Sequence, residues 1–284
     1  MTRQRQLVTW SGAILGVCLA LPVGAHGQDS DRVTEEFHHV YPISAEGRVQ
    51  LENINGGVHI SSWDRNEVKV DAIKSASNKQ RLDEANIQIE AGAGSISIRT
   101  QYPEHSYSSN SDRSNNPASV EYTLTVPRRT RLDEIKLING SLDIHDVLGE
   151  VRASCINGHL EARNLAGAVK LSSVNGQLEV SLVRLGDSPV ELSSVNGSLD
   201  LTLPSDSKAD LEASSMQGGI HDDFGLGVHH HLVGHKLRGE LGGGGTKIKL
   251  SNVNGRIEIR HANDGRSLSP AKDFDNSDND HDDI

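Results

Sequence analysis

The chain of 284 residues carries 39 acidic against 28 basic side chains, a formal net charge of −11, and such a surface argues against nucleic acid and anionic lipid head groups as partners. Its nine aromatic residues offer few platforms for stacking on sugars. Two cysteines, Cys18 and Cys155, rule out a disulfide framework, so packing and backbone pairing must carry stability.

Arg3 and Arg5 precede an apolar run from Trp10 to Val23, and Val23-Gly24-Ala25 supplies small residues for cleavage, so residues 1–25 are expected to be a secretory signal peptide. That run is short for a membrane span and no later segment is apolar enough, so no transmembrane segment is expected in the mature chain. Cleavage would remove Arg3, Arg5 and no acid, moving the formal charge from −11 to −13 and leaving Cys155 alone. Bulky Val17 before Cys18 argues against a lipid anchor there.

Residues 26–36 are polar and expected to form a linker. Alternating apolar residues then begin: Val49, Leu51, Val58 and Ile60 flank an Asn55-Gly56 pair, and Val68 and Val70 follow Trp63-Asp64. Lys79 to Ala85 predicts a helical turn. Ile87, Ile89, Ile96 and Ile98 alternate across Gly92 to Gly94, a hairpin signal, and Ser106 to Pro117 reads as an exposed loop. Val120, Tyr122, Leu124 and Val126 form a further strand that Pro127 closes.

From Ile135 to Leu201 one phrase recurs: Asn139-Gly140, Asn157-Gly158, Asn175-Gly176 and Asn196-Gly197 stand 18, 18 and 21 residues apart, and Asn254-Gly255 repeats it. Aligned on the asparagine, the positions six, four and one before it and three and five after it are apolar, as in Val169, Leu171, Val174, Leu178 and Val180, so each rung is expected to bury about five apolar side chains. Period two on both sides of a turn predicts two strands per repeat, each with a buried face. A fixed period of this size marks stacked repeats. The sequence therefore predicts an all-β, single-domain β-solenoid, β-helix-like, with rungs of about 18–21 residues. Residues 37–130 would be a less regular N-terminal β section of that domain and 131–262 the repeats. Between Gln217 and Asn254 a degenerate rung is expected, with Phe224 to Leu232 as an insertion. Residues 263–284, rich in aspartate, are expected to be a disordered acidic tail.

The run Gly47-Arg48-Val49-Gln50-Leu51-Glu52-Asn53-Ile54-Asn55-Gly56 with Trp63-Asp64, the strand Val120 to Pro127, the Asn-Gly phrases and the Gly-rich run into Val253-Asn254-Gly255 resemble the bacterial putative adhesin family. The similarity covers residues 37–262. It implies an exported β-repeat domain with a role in the cell envelope, in the periplasm or on the cell surface, and brings no catalytic residues with it.

Three groups could carry chemistry. Four residues after each asparagine stand Asp143, Glu161, Glu179, Asp200 and Glu258, which stacking would bring into a column about 4.8 Å apart. Such a column could hold a divalent cation or, as paired carboxylates about 5 Å apart, cleave a glycan, unless it is a solvated face relieved by cations such as Arg163. His229, His231 and His235 are a second metal candidate. The turn residues Asn55-Gly56, Asn139-Gly140, Asn157-Gly158, Asn175-Gly176, Asn196-Gly197 and Asn254-Gly255 read as structural, and Cys155 as a small core residue. No cofactor is called for. The favoured expectation is a non-enzymatic binding or scaffolding protein whose partner is an envelope protein or glycan. A polysaccharide-active β-helix enzyme and a self-assembling envelope polymer, a homo-oligomer joined through its ends, are the alternatives.

Overall fold

The computed structural model describes residues 32–103, 117–230 and 234–274. The expected signal peptide and the last ten residues of the acidic tail lie outside them, as does nearly all of the Ser106 to Pro117 loop. The first part of the chain contains β1 (Val33–Pro42), β2 (Arg48–Asn55), β3 (Val58–Trp63), β4 (Glu67–Ala76), α1 (Lys79–Glu84), β5 (Asn86–Ala91), β6 (Ser95–Gln101) and β7 (Ser119–Pro127). The helical turn is where sequence places it, and Asn78 caps it by accepting from the Arg81 backbone N–H at 2.9 Å.

The repeats supply strands in pairs: β8 (Arg131–Asn139) and β9 (Leu142–His145), β10 (Val151–Asn157) and β11 (Leu160–Leu165), β12 (Val169–Asn175) and β13 (Leu178–Leu182), β14 (Val190–Asn196) and β15 (Leu199–Leu203). After them come β16 (Ala209–Gln217), β17 (Ile220–Asp222), β18 (Val228–His230), β19 (His235–Leu241), β20 (Thr246–Asn254), β21 (Ile257–His261) and β22 (Ala271–Asp273). The first strand of each pair joins one large mixed sheet and the second joins another. Among the described residues neither sheet closes on itself, and their inner faces share one apolar core.

Strand pairing follows the repeat. Asn157 lies opposite Asn175 and Asn175 opposite Asn196 in one sheet, while Leu160 faces Leu178 and Leu178 faces Leu199 in the other, all in parallel. The positions six and four before the asparagine, such as Val169 and Leu171, are 1% exposed, and Leu178 and Val180 after it are fully buried. The isolated early copy is no outlier. Asn55 pairs with Asn139 across 84 residues of sequence, so β2 and β3 are the next layer of the same stack.

Chain order and spatial order diverge at both ends. The β20–β21 pair is inserted between β14–β15 and β16–β17, and at the other end β6 and β7 lie outside β2 and β3. Among the described residues the expected degenerate rung between Gln217 and Asn254 does not form; β19 instead pairs antiparallel with the outer edge of β16, and β18 pairs antiparallel with β19. The return to β20 passes through Gly242 to Gly245, all at positive φ (61°, 84°, 82° and 157°), a path that side chains with a Cβ adopt only with strain.

Two boundaries also move. β1 starts at Val33, inside the expected linker, and pairs along its whole length with β4. Residues 263–274 are not disordered. Ser269 is buried with its backbone N–H on the Ser205 carbonyl at 2.8 Å, and β22 pairs antiparallel with β19. Among the described residues no helix is long and apolar enough to cross a membrane.

Candidate functional site

The Asn-Gly corner is built by a division of labour. Gly140, Gly158, Gly176, Gly197 and Gly255 hold φ between 141° and 151°, whereas none of the asparagines before them has positive φ. A Cβ on each of these glycines would meet the carbonyl oxygen of the glycine in the neighbouring layer, so glycine is demanded by stacking as well as by the turn. The asparagines instead form an amide ladder. Asn139 Nδ2 donates to Asn55 Oδ1, Asn157 to Asn139, Asn175 to Asn157 and Asn196 to Asn175, each at 2.9 Å, and Asn254 donates to Asn196 at 2.8 Å. Each bond contributes about 1 kcal/mol net.

Beneath the corner, at the position two before the asparagine or its counterpart Gln217, three side chains reach the glycine carbonyl of a neighbouring layer: Cys155 Sγ to Gly140 O at 3.4 Å, Ser215 Oγ to Gly255 O at 3.1 Å and Asn252 Nδ2 to Gly197 O at 2.9 Å. Cys155 is fully buried, and burial pushes its thiol up to about 11, so it packs as a small core residue.

The structure does bring the acidic column into register. Asp143, Glu161, Glu179, Asp200 and Glu258 follow one another across β9, β11, β13, β15 and β21, with His59 of β3 at one end and His221 of β17 at the other. Cations and donors are interleaved with it. His59 Nδ1 stands 2.7 Å from Asp143, Arg163 bridges Glu161 and Glu179, Arg256 lies 2.6 Å from Glu258, and Arg260 binds Glu258. Asp200, 5% exposed, accepts from Gln177 at 2.9 Å and Ser198 at 3.1 Å. The mutual repulsion of stacked carboxylates is thus partly offset within the face, although Asp200 Oδ1 is buried without a hydrogen-bond partner and has only the Arg260 guanidinium 3.8 Å away.

His229 and His235 do not converge. In the antiparallel pairing of β18 and β19, His229 lies opposite Lys236 and His235 opposite position 230, so His229 and His235 belong to different sheet faces. His231 lies outside the described residues. Among the described residues no three His, Cys, Asp or Glu side chains are placed to share a metal ion.

A feature that sequence reading passed over lies on the outer face of the other sheet. Five residues before the asparagine, Arg152, Lys170, Glu191 and Lys249 form one row across β10, β12, β14 and β20; three before it, Ser154, Ser172, Ser193 and Ser251 form a second. The third row corrects an expectation. Ile156, Val174, Val195 and Val253, read as buried because they are apolar, are 41%, 37%, 39% and 37% exposed. Small serines between larger flanking side chains leave an open trough of about 410 Å³ running along the stack, with Glu134 and Lys136 of β8 at one end. Lys170 Nζ bonds Glu191 at 2.7 Å and holds that carboxyl below the usual range. The alignment that revealed the acidic column contains these rows too; the signal was there in the recurrent Ser-Ser-Val-Asn-Gly phrase.

Fold and surface together define a layered, two-sheet repeat protein that displays long in-register rows on its outer faces. No protein-family model matches the sequence, and no curated protein matches it. The fold is similar to that of a putative cell adhesion protein from Clostridium sporogenes, with a TM-score of 0.50 and 14% identity over 81% of this chain and 100% of that one. A putative adhesin from Bacteroides fragilis (TM-score 0.37, 10% identity, 80% of this chain and 97% of that one) and one from Parabacteroides distasonis (TM-score 0.25, 9% identity, 81% and 98%) are looser matches. At these identities the likeness concerns the fold, which agrees with the resemblance read from the Asn-Gly phrases.

Proposed function

We propose that this is an exported, non-enzymatic binding or scaffolding protein of the bacterial cell envelope, adhesin-like, built as a single-domain β-solenoid and working in the periplasm or on the cell surface. The carrying observation is the in-register repetition of outward rows over successive parallel strand pairs, which makes a long, regular surface of side chains rather than a pocket converging on one reacting atom. The likeness to a structure named for cell adhesion supports the reading, as do the leader-like residues 1–25. The arginines set against Glu161, Glu179 and Glu258 favour binding over glycan cleavage, because a neighbouring guanidinium keeps a carboxyl ionised and so without the proton a general acid must give.

Fractionation of cells producing the tagged full chain tests this. The mature protein, shortened by about 25 residues, is expected in the periplasmic or surface fraction, where its partners can be captured and identified by mass spectrometry. Full-length protein retained in the cytoplasm would overturn the export reading. Release of reducing sugar from a polysaccharide panel, abolished by Glu161→Gln, would overturn the non-enzymatic one.

A further inference from the structure

Resting on that reading, we propose that the trough over β10, β12, β14 and β20 binds a linear acidic polysaccharide laid along the stacking direction. The backbone there is already committed. Each of β10, β12, β14 and β20 is paired on both sides, so no free edge exists for a peptide to join as an added strand, and recognition must come from side chains.

Those side chains repeat in one triplet per layer. A charged residue, cationic in Arg152, Lys170 and Lys249 and anionic in Glu191, and a serine hydroxyl line the trough, an exposed aliphatic group follows two residues on along the same face, and the triplet recurs about every 4.8 Å. A ligand matched to this pattern carries the same three functions on every unit of a chain with a similar repeat. A uronic acid polymer does so: each ring presents a carboxylate, hydroxyls and a face of C–H bonds. An extended acidic peptide fits less well, because its side chains reach one face only every second residue, about 6.6 Å apart.

Charge favours the same occupant. The trough is lined by Lys136, Arg152, Lys170 and Lys249 against Glu134 and Glu191; Lys136 also pairs with Glu52, and Arg152 with Glu150, outside it, while Lys249 has no ion pair among the described residues and leaves the lining cationic on a chain whose net charge is −11. The Lys170–Glu191 pair is exposed, and such pairs hold weakly enough for a ligand carboxylate to compete for the lysine. With no aromatic side chain lining it, binding must lean on ions and hydroxyls and weaken as salt rises.

Calorimetric titration of the mature protein with oligogalacturonate, a neutral β-glucan and polyaspartate of matched charge tests the assignment. Oligogalacturonate is expected to bind, about tenfold more weakly in 300 mM than in 50 mM NaCl, with the glucan silent and polyaspartate at least about tenfold weaker. Lys170→Glu with Lys249→Glu should reduce affinity by about tenfold or more, and Lys79→Glu on α1 should leave it unchanged. If the double charge reversal fails to fold, judged by circular dichroism, the alanine pair at the same positions should still lower affinity several-fold. Folded protein that ignores oligogalacturonate, binds polyaspartate equally well, or is indifferent to the lysine changes overturns the proposal. In that event a protein still found in the envelope keeps the general function and loses only this ligand, whereas cytoplasmic retention fails the function itself.

Discussion

Gly176→Ala is expected to lower the stability of the folded chain by about 3 kcal/mol or more, a fall in melting temperature of about 6–12 °C for a domain of this size. Two costs combine. Gly176 sits at φ 141°, outside the regions open to alanine, and the added methyl would press on the carbonyl oxygen of Gly158 in the next layer. Relief requires the layers to part at the corner, which stretches the Gly158 N–H to Asn175 O bond of 3.0 Å and the Asn175 to Asn157 amide bond beside it. Glu179→Gln, four residues from Asn175, is the contrast. Glu179 is 39% exposed at its side chain and among the described residues pairs only with Arg163, at 3.5 Å, so its loss should move the melting temperature by no more than about 2 °C. Thermal unfolding of the two variants separates them, and equal losses would contradict the assignment of corner and outer face.

Leu192→Ala is the second large effect, at about 2–5 kcal/mol. Leu192 is 2% exposed and lies between Leu171 and Leu250 in a row of buried side chains on adjacent strands. The neighbours are fixed by parallel hydrogen bonding on both sides, so the cavity cannot collapse by strand movement, and the cost should lie toward the upper part of that range. Ile220→Ala, on the short terminal strand β17 where the side chain is only half buried, should cost less than half as much. Chemical denaturation of both variants would show whether the middle of the stack is the rigid part.

The two-strand repeat was legible because period two survives in a single sequence: Val169 and Leu171 before the turn and Leu178 and Val180 after it point inward, as their spacing requires. Val174 and its equivalents were misjudged for a different reason. They stand out of phase with that alternation, and apolar character was allowed to outweigh position, although apolar atoms contribute much of any protein surface. Layer order could not be read from sequence at all. A repeat period reports which segments are alike, and nothing in it records that β20 returns to lie between β14 and β16, or that Asn55 meets Asn139 across 84 residues. Those arrangements depend on long-range pairing, with Gly242 to Gly245 supplying the turn that permits one of them.

The candidate surfaces divide in the same way. Register made the acidic column foreseeable, but its neutralisation depends on where Arg163, Arg256 and Arg260 swing, which spacing does not specify. The trough emerges from size differences among outward residues, serines between charged and branched neighbours, and becomes visible only once the strands are laid side by side.

Engineered disulfides test the layer order on which these surfaces depend. In a Cys155→Ser background, Ser193→Cys with Ser251→Cys should cross-link under mild oxidation, since those residues are direct partners on β14 and β20. Ser193→Cys with Ser214→Cys should not, because β20 separates them by two strand spacings, about 9.6 Å, beyond disulfide reach. Peptide mapping that found the 193–214 bridge and no 193–251 bridge would mean that the layers stack in chain order, and would contradict the arrangement described.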